Sequence, residues 1–319
     1  MDATIRPFIR QISEPHMAIF KATAASRAGT WLHEALADPE LFFALRDERV
    51  DIYHLGQVIY SVELRDEKVT PRTHVKYLVM DGRDPYVRMK NGAFDYKDAH
   101  LQGSYQATAS LEKIKRAASK FSGPESKGIY KVIDRDALVI DVEIAFNRSN
   151  EIAEHDTPAT RRTQDRVDMV RLSPSEDGFD LVFWEAKHYS SKELFRDDIF
   201  NQLAAYAKQL QSREAQLISA FQNVCRFHRD LDQLRKSLGF AGASDSHIDM
   251  LEGLASGRHQ LRIVKEPSLF VFGFDNDQKN GRWKVRKKQI EEVIGSERLR
   301  AVGNPADGLP SGANKKGAV

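Results

Sequence analysis

At 319 residues the chain holds about two domains at roughly 150 residues each, enough to bury a sizeable core. Apolar residues make up 41% and charged residues 29%, which excludes collagen-like and mostly disordered chains, and no apolar run is long enough to span a bilayer. The 48 Lys and Arg against 46 Asp and Glu leave +2, so the chain is no polyelectrolyte and a nucleic-acid partner has to meet a local patch.

A single cysteine, Cys225, can form neither an intramolecular disulfide nor a structural zinc site, which points to a reducing compartment. The start, Met1-Asp2-Ala3-Thr4, carries an acid where a signal peptide needs positive charge, so a cytoplasmic protein is expected. Trp31, Leu32, Ala35 and Leu36 recur at helical spacing up to the Asp38-Pro39 break. Strands follow at Val50–Tyr53, Gln57–Leu64 and His74–Met80, parted by Gly56, Asp66 and Pro71, an antiparallel meander by pattern. Thr108–Phe121 returns to a helical, basic pattern, with Lys113, Lys115, Arg116 and Lys120 against Glu112; a solvated helix face is the simplest reading.

Three strands and a helix come next. Along Leu138–Phe146 the apolar residues 138, 140, 142, 144 and 146 alternate with Asp141 and Glu143, so one face is core. Arg166–Leu172 is a second strand with Arg166, Asp168 and Val170 on one face, and Leu181–His188 a third, apolar on both sides at its start and so central in a sheet. The polar stretch Asn147–Gln164, with Glu154-His155-Asp156, Pro158, Arg161 and Arg162, reads as a loop. Lys192–Leu210 is an amphipathic helix, and Leu217–Leu231 a second one whose Cys225 and His228 are core or boundary residues, since no third ligand has fitting spacing. Leu261–Phe274 returns to the strand pattern. Arg282, Lys284, Arg286, Lys287 and Lys288 cluster around Trp283 as candidate phosphate contacts. From Gly303 the Gly-, Pro- and Asn-rich end has no apolar period and is expected to be a mobile tail.

The chemistry lies in Asp168 and in Glu185-Ala186-Lys187. Strand parity puts Glu185 and Lys187 on the face of Leu181 and Phe183, forcing a charged pair onto a face that begins buried. Such a pair can simply neutralise itself. A second carboxylate on the neighbouring strand changes the balance, because two converging carboxylates make a hard-oxygen site suited to Mg²⁺. A lysine beside them can orient the attacking water and offset charge developing at phosphorus. Glu143 is the candidate third carboxylate, and Arg166, on Asp168's face, can meet phosphate or pair with an acid.

In these residues and their element order the chain resembles the PD-(D/E)xK nuclease superfamily, over roughly Thr108–Phe274. Its core is helix, three-stranded meander, helix, strand, with the acid on the second strand and the (D/E)xK on the third. Gln202-Leu203-Ala204-Ala205-Tyr206 resembles the Q-x-x-x-Y element of the RecB-type branch; four-residue spacing puts both side chains on one helical face. The resemblance implies an α/β fold with a mixed central sheet, preceded by a β-rich N-terminal region. It implies a Mg²⁺-dependent nuclease, Mn²⁺ able to substitute, with Asp168 and Glu185 as metal ligands, Lys187 as water-orienting lysine, and Gln202 and Tyr206 as supports. Val167 stands where the family's proline precedes the aspartate, and Glu112 is the one candidate in the helix read at 108–121 for the family's first-helix acid; Glu143 is preferred to it.

The expected organisation is an N-terminal module over 1–105, a nuclease domain over 106–302 and a disordered tail over 303–319. DNA is the expected substrate, contacted by Arg166, Lys284, Arg286 and Lys287. A homodimer and a protein partner met through residues 1–105 are admitted, and a membrane is not. Without a helicase or ATPase motif, restriction, antiviral defence or repair is the natural setting. Two other readings stay open: RNA cleavage at the same site, and a catalytically idle nuclease fold that binds nucleic acid or protein. Phosphate-loop, dinucleotide, nucleophile-elbow and H-E-x-x-H motifs are absent.

Overall fold

A computed structural model describes residues 7–26, 31–79, 88–90, 92–95, 101–147 and 164–310. The architecture is mixed α/β, with one antiparallel sheet, one mixed sheet, a two-stranded ribbon and, among the described residues, nine α-helices. None of those helices is long and apolar enough to cross a membrane. The chain divides into two compact units: residues 1–11, 124–233 and 243–319 form the first, and 12–123 with 234–242 the second.

The second unit opens with α1 (Glu14–Ala25) and α2 (Trp31–Ala37), then a four-stranded antiparallel sheet in chain order: β1 (Phe42–Leu45), β2 (Arg49–His54), β3 (Gln57–Arg65) and β4 (Lys68–Arg72). Val50, Ile52, Ile59, Val62 and Leu64 are buried in it. The strand expected at His74–Met80 does not form. The His74 imidazole accepts the Lys76 N–H at 3.0 Å and closes a 3₁₀ turn over Val75–Tyr77, a local side-chain bond outcompeting the ladder; Val79 keeps only an isolated bridge to Leu101. The ribbon pairs β5 (Arg88–Lys90) with β6 (Ala93–Asp95).

Helix α3 (Ala107–Ser119) also belongs to the second unit, so a boundary at residue 106 falls inside it. Its face is less solvated than its charge suggests. Leu111, Ile114 and Ala118 are buried, and Lys115 is buried with them, its ammonium 2.7 Å from Asp38, 2.7 Å from Glu40 and 3.2 Å from Glu112.

The first unit is built on a six-stranded mixed sheet. Helix α4 (Pro124–Ile133) leads into β7 (Val139–Asn147), β8 (Gln164–Ser175) and β9 (Gly178–His188), an antiparallel meander. Helices α5 (Asp198–Ser212), α6 (Glu214–Ser237) and α7 (Asp245–Ala255) follow. The free edge of β9 is then shared by two parallel strands: β10 (Gln260–Ile263) along its first half and β11 (Ser268–Phe272) along its second. Pro267 sits between them, where its missing N–H could not serve a central ladder. After α8 (Asn276–Asn280) and α9 (Arg282–Ile294), β12 (Leu299–Val302) adds in parallel to β11.

Both faces of this sheet are covered, as parallel pairing requires. Phe146, Phe183 and Phe221 form an aromatic core with Phe8 from the N-terminal segment. Asp141, fully buried, is held by Arg10 at 3.0 Å. Cys225 is buried, its thiol pushed up to about 12 by desolvation, and the His228 Nε2 meets the Ile140 carbonyl at 2.7 Å; both serve the core as expected. Residues 303–310 are folded rather than tail-like: Pro305–Asp307 forms a 3₁₀ turn, Leu309 is buried, and the Gly273 N–H donates to the Gly303 carbonyl at 3.0 Å. Residues 311–319 lie outside the described residues.

Candidate active site

The site forms where β8 parts from β9. The β8–β9 register ends at Met169↔Trp184. On the other side the β7–β8 pairing passes over Glu143 and Asp168 between Val142↔Met169 and Ile144↔Val167 and then continues to Asn147↔Gln164. Glu143 sits there at φ +52°, a left-handed backbone that costs a non-glycine residue about 1 kcal/mol. Strands that splay leave backbone groups unpaired, and those groups have to be satisfied. Asp168 Oδ2 accepts the Ala186 N–H at 2.7 Å, and the Tyr206 hydroxyl donates to the Arg166 carbonyl.

Parity on β9 is as the alternation predicts: Leu181, Phe183, Glu185 and Lys187 are all buried, Glu185 to 2% exposure. The Lys187 ammonium lies 2.7 Å from Glu185 Oε1 and 2.9 Å from Glu193 Oε2. From α5, Gln202 donates to Glu185 Oε1 at 2.7 Å, and the Tyr206 hydroxyl lies 3.1 Å from Oε2, its one hydrogen shared between that oxygen and the Arg166 carbonyl, while Gln202 also reaches the Tyr206 hydroxyl. One helical turn separates Gln202 from Tyr206, so a single face of α5 addresses both oxygens.

Further along that face Gln209 donates to Asp165 at 2.8 Å, and Arg213 bonds Gln209 and, at 3.0 Å, the Asn147 carbonyl. Asp165, Gln209 and Arg213 are all buried, so α5 is locked to β7 and β8 by polar bonds as well as by Ile199, Leu203 and Leu210. Composition did not mark this network, because each residue type is ordinary on a helix surface.

The electrostatics follow from crowding acids into a buried place. Desolvation, then the Glu185 charge, with smaller pushes from Glu143 and Glu125, holds Asp168 well above the usual carboxylate range against the pull of the Ala186 N–H. Desolvation lifts Glu185 to about 7 although Lys187 opposes it. Burial draws the Lys187 ammonium down, but Glu185 and Glu125 outweigh it and hold the group above the ordinary lysine range. Tyr206 is pushed up by burial and by the Glu185 charge, so its hydroxyl stays a neutral donor.

Glu125 is the acid that the sequence reading missed. It stands in the first turn of α4, and its Oε2 accepts the His188 N–H at 3.3 Å. Glu112 instead lies in the second unit, bonded to Lys115. The signal was available: Glu125 follows Gly123-Pro124, a helix start immediately before the first strand of the meander. Glu143 is half-buried and 3.3 Å from the exposed Arg166 guanidinium, so Arg166 pairs with an acid.

The basic cluster on α9 divides. Arg286 is not available to phosphate: its guanidinium donates to the Leu194 carbonyl at 2.8 Å and the Arg196 carbonyl at 2.5 Å and lies over the Phe200 ring. A fork with five donors is well suited to tying a loop to a helix, and it is spent doing so. Lys287 pairs with Glu291 at 2.6 Å. Lys284 is exposed and lines a cavity of about 830 Å³ with Lys279 and Lys288. Glu154-His155-Asp156, Arg161 and Arg162 lie outside the described residues.

Among the described residues no three His, Cys, Asp or Glu side chains are arranged to hold a metal ion. Mg²⁺ asks for less, since one or two protein carboxylates commonly suffice. Asp168 bonds the Ala186 N–H, and Glu125 the His188 N–H, through one oxygen each. Their second oxygens, in a cluster whose carboxylates already repel one another, suit a hard divalent cation. The chain matches no family model, no curated protein and no solved structure.

Proposed function

We propose that this protein is a metal-dependent nuclease that hydrolyses phosphodiester bonds of DNA, built on a PD-(D/E)xK core. The observation that carries the reading is the convergence, at the parting of β8 and β9, of Asp168, Glu185 and Lys187, with Gln202 and Tyr206 of the next helix bonded to the same carboxylate. The order α4, β7–β8–β9 meander, α5, β11 supports it. Glu125 takes the place first looked for at Glu112.

Asp168 and Glu185 would hold Mg²⁺ or Mn²⁺, with Glu125 beside them; when bound, the cation lowers the pKa of a water and polarises the phosphoryl oxygen. An ammonium has three donors. Lys187 gives two to Glu185 and Glu193, which leaves the third for the attacking water or a non-bridging phosphoryl oxygen. Because Lys187 stays charged, it orients and stabilises and does not act as a base. Gln202 and Tyr206 fix the Glu185 rotamer, so little reorganisation accompanies charge development.

The test incubates the purified chain with linear DNA, circular DNA and RNA in Mg²⁺, Mn²⁺ or EDTA, beside Asp168→Ala, Lys187→Ala and Glu125→Gln. Metal-dependent cleavage of DNA is expected, reduced about 10²-fold or more by the first two substitutions and less by the third. Cleavage of RNA alone would move the substrate. No cleavage by the wild type, with DNA binding indifferent to metal, would leave a binding module whose acid and lysine are a buried ion cluster.

A further inference from the structure

Beyond Lys187 the chain leaves the sheet in a loop, residues 189–197, that contains the 3₁₀ turn Glu193–Phe195. This loop walls a cavity of about 410 Å³, and its lining is unbalanced in charge. Lys192, Arg196 and Arg282 contribute three cations and Ser191 a hydroxyl, the Ser190 hydroxyl being bonded to His188 at 2.8 Å, and no Asp or Glu is among the lining residues. Other basic residues of the first unit do meet an acid, as Lys287 meets Glu291 and Arg262 meets Asp180. Among the described residues, Lys192, Arg196 and Arg282 have no carboxylate within 4.0 Å. Arg282 is held by the Phe195 ring, 4.0 Å from its centroid, and Phe195 by an edge-to-face contact with Tyr189 at 5.4 Å. Lys192 and Arg196 are exposed, and nothing in the fold uses their charge.

Cations gathered around one concavity with no carboxylate in its lining give it a positive potential that attracts an anion. Two guanidiniums, an ammonium and the Ser191 hydroxyl favour a tetrahedral oxyanion, because forked donors meet two phosphate oxygens at once. The wall of the cavity is tied to the candidate catalytic lysine: Glu193, within the same loop, lies 2.9 Å from Lys187, and the Tyr189 N–H donates to the Phe272 carbonyl at 2.7 Å. We infer that this cavity is a phosphate-binding pocket that holds a phosphate of the nucleic-acid strand beside the scissile position. The nucleic-acid identity of the ligand rests on the nuclease reading; the phosphate chemistry rests on the pocket.

The experiment measures binding of a short oligonucleotide by the full chain in EDTA, where no cleavage intervenes, across a salt series. Wild type is compared with Lys192→Gln combined with Arg196→Gln, and with a control that removes two exposed lysines of the second unit, Lys68→Gln with Lys113→Gln. The pocket variant is expected to bind about tenfold more weakly at low salt, with a slope of log K against log salt shallower by about two, while the control matches wild type. Equal affinity and slope in wild type and pocket variant, with both folded by thermal melting, would overturn the inference. Oligonucleotides with and without a terminal phosphate separate the sources. A difference between wild type and variant confined to the phosphorylated strand assigns the pocket to a terminal phosphomonoester; one that persists without it assigns an internal phosphodiester. Failure of the nuclease reading shows separately, as absent cleavage in metal.

Discussion

Glu185 concentrates the site's cost in one side chain. Its carboxyl is raised from 4.5 to about 7, first by desolvation, against the attraction of Lys187. A raised acid favours the folded state while it is protonated. That contribution is present below the unfolded value of 4.5 and is lost as pH climbs through the folded value near 7. In EDTA, unfolding free energy from denaturant titration should therefore fall between about pH 4.5 and 7, and Glu185→Gln should flatten that part of the curve. A flat wild-type curve would show that the carboxylate is ionised throughout. Addition of Mg²⁺ above pH 7 should raise the melting temperature of wild type and not of Glu185→Gln, because a ligand that binds only the folded state stabilises it by mass action.

At the scale of elements, two contacts hold the frame of the site. Helix α4, which presents Glu125, crosses β11 at Gly128, where an added Cβ would stand 2.0 Å from the Phe272 ring. Alanine is the better helix former by about 1 kcal/mol, but Phe272 is buried at 1% exposure and has nowhere to retreat. Overpacking should win, and Gly128→Ala should lower stability by about 1–2 kcal/mol in equilibrium unfolding. The other contact is Arg286, whose bonds to the carbonyls of Leu194 and Arg196 anchor the loop carrying Glu193. Arg286→Ala should cost about 1–3 kcal/mol of stability and leave the salt slope of nucleic-acid binding unchanged. Lys284→Ala, at an exposed site, should leave stability within about 0.5 kcal/mol. Equal stability of the two variants would show that the Arg286 clamp is ornamental.

For the molecule as a whole, the two compact units do not follow the order of the chain. Residues 1–11 belong with the sheet that carries the site, whereas α3 and residues 234–242 belong with the N-terminal β-sheet. Cutting at residue 105 thus does not free the unit that carries the candidate site. It removes Phe8 from the aromatic core and Arg10 from the fully buried Asp141, and taking one partner from a buried ion pair costs about 3–5 kcal/mol. Arg10→Ala in the full chain should show that loss by denaturation, and a chain lacking 1–105 should unfold at still lower denaturant. If the truncated chain were as stable as the full one, the assignment of residues 7–11 to the first unit would be wrong. Any test of the N-terminal module has to keep Phe8 and Arg10.

Much of the site is legible in one dimension because strand and helix periods are local properties. Period two places Glu185 and Lys187 on the buried side of β9, and four-residue spacing brings Gln202 and Tyr206 to one face of α5. Apolar alternation likewise determines the three-strand meander and the bulk of the core. What it could not decide depends on contacts between residues distant in sequence. The parting of β8 from β9 beyond Met169, which makes room for Asp168, is a property of registers. The choice of Glu125 over Glu112 depends on which helix packs on the sheet, and both helices begin with acceptable patterns. The diversion of Arg286 from phosphate to backbone carbonyls, the burial of Lys115 and the folding of residues 303–310 against the sheet are likewise decided by neighbours that only the folded chain supplies. Charge and periodicity state what a side chain can do; tertiary structure decides which of its partners arrives first.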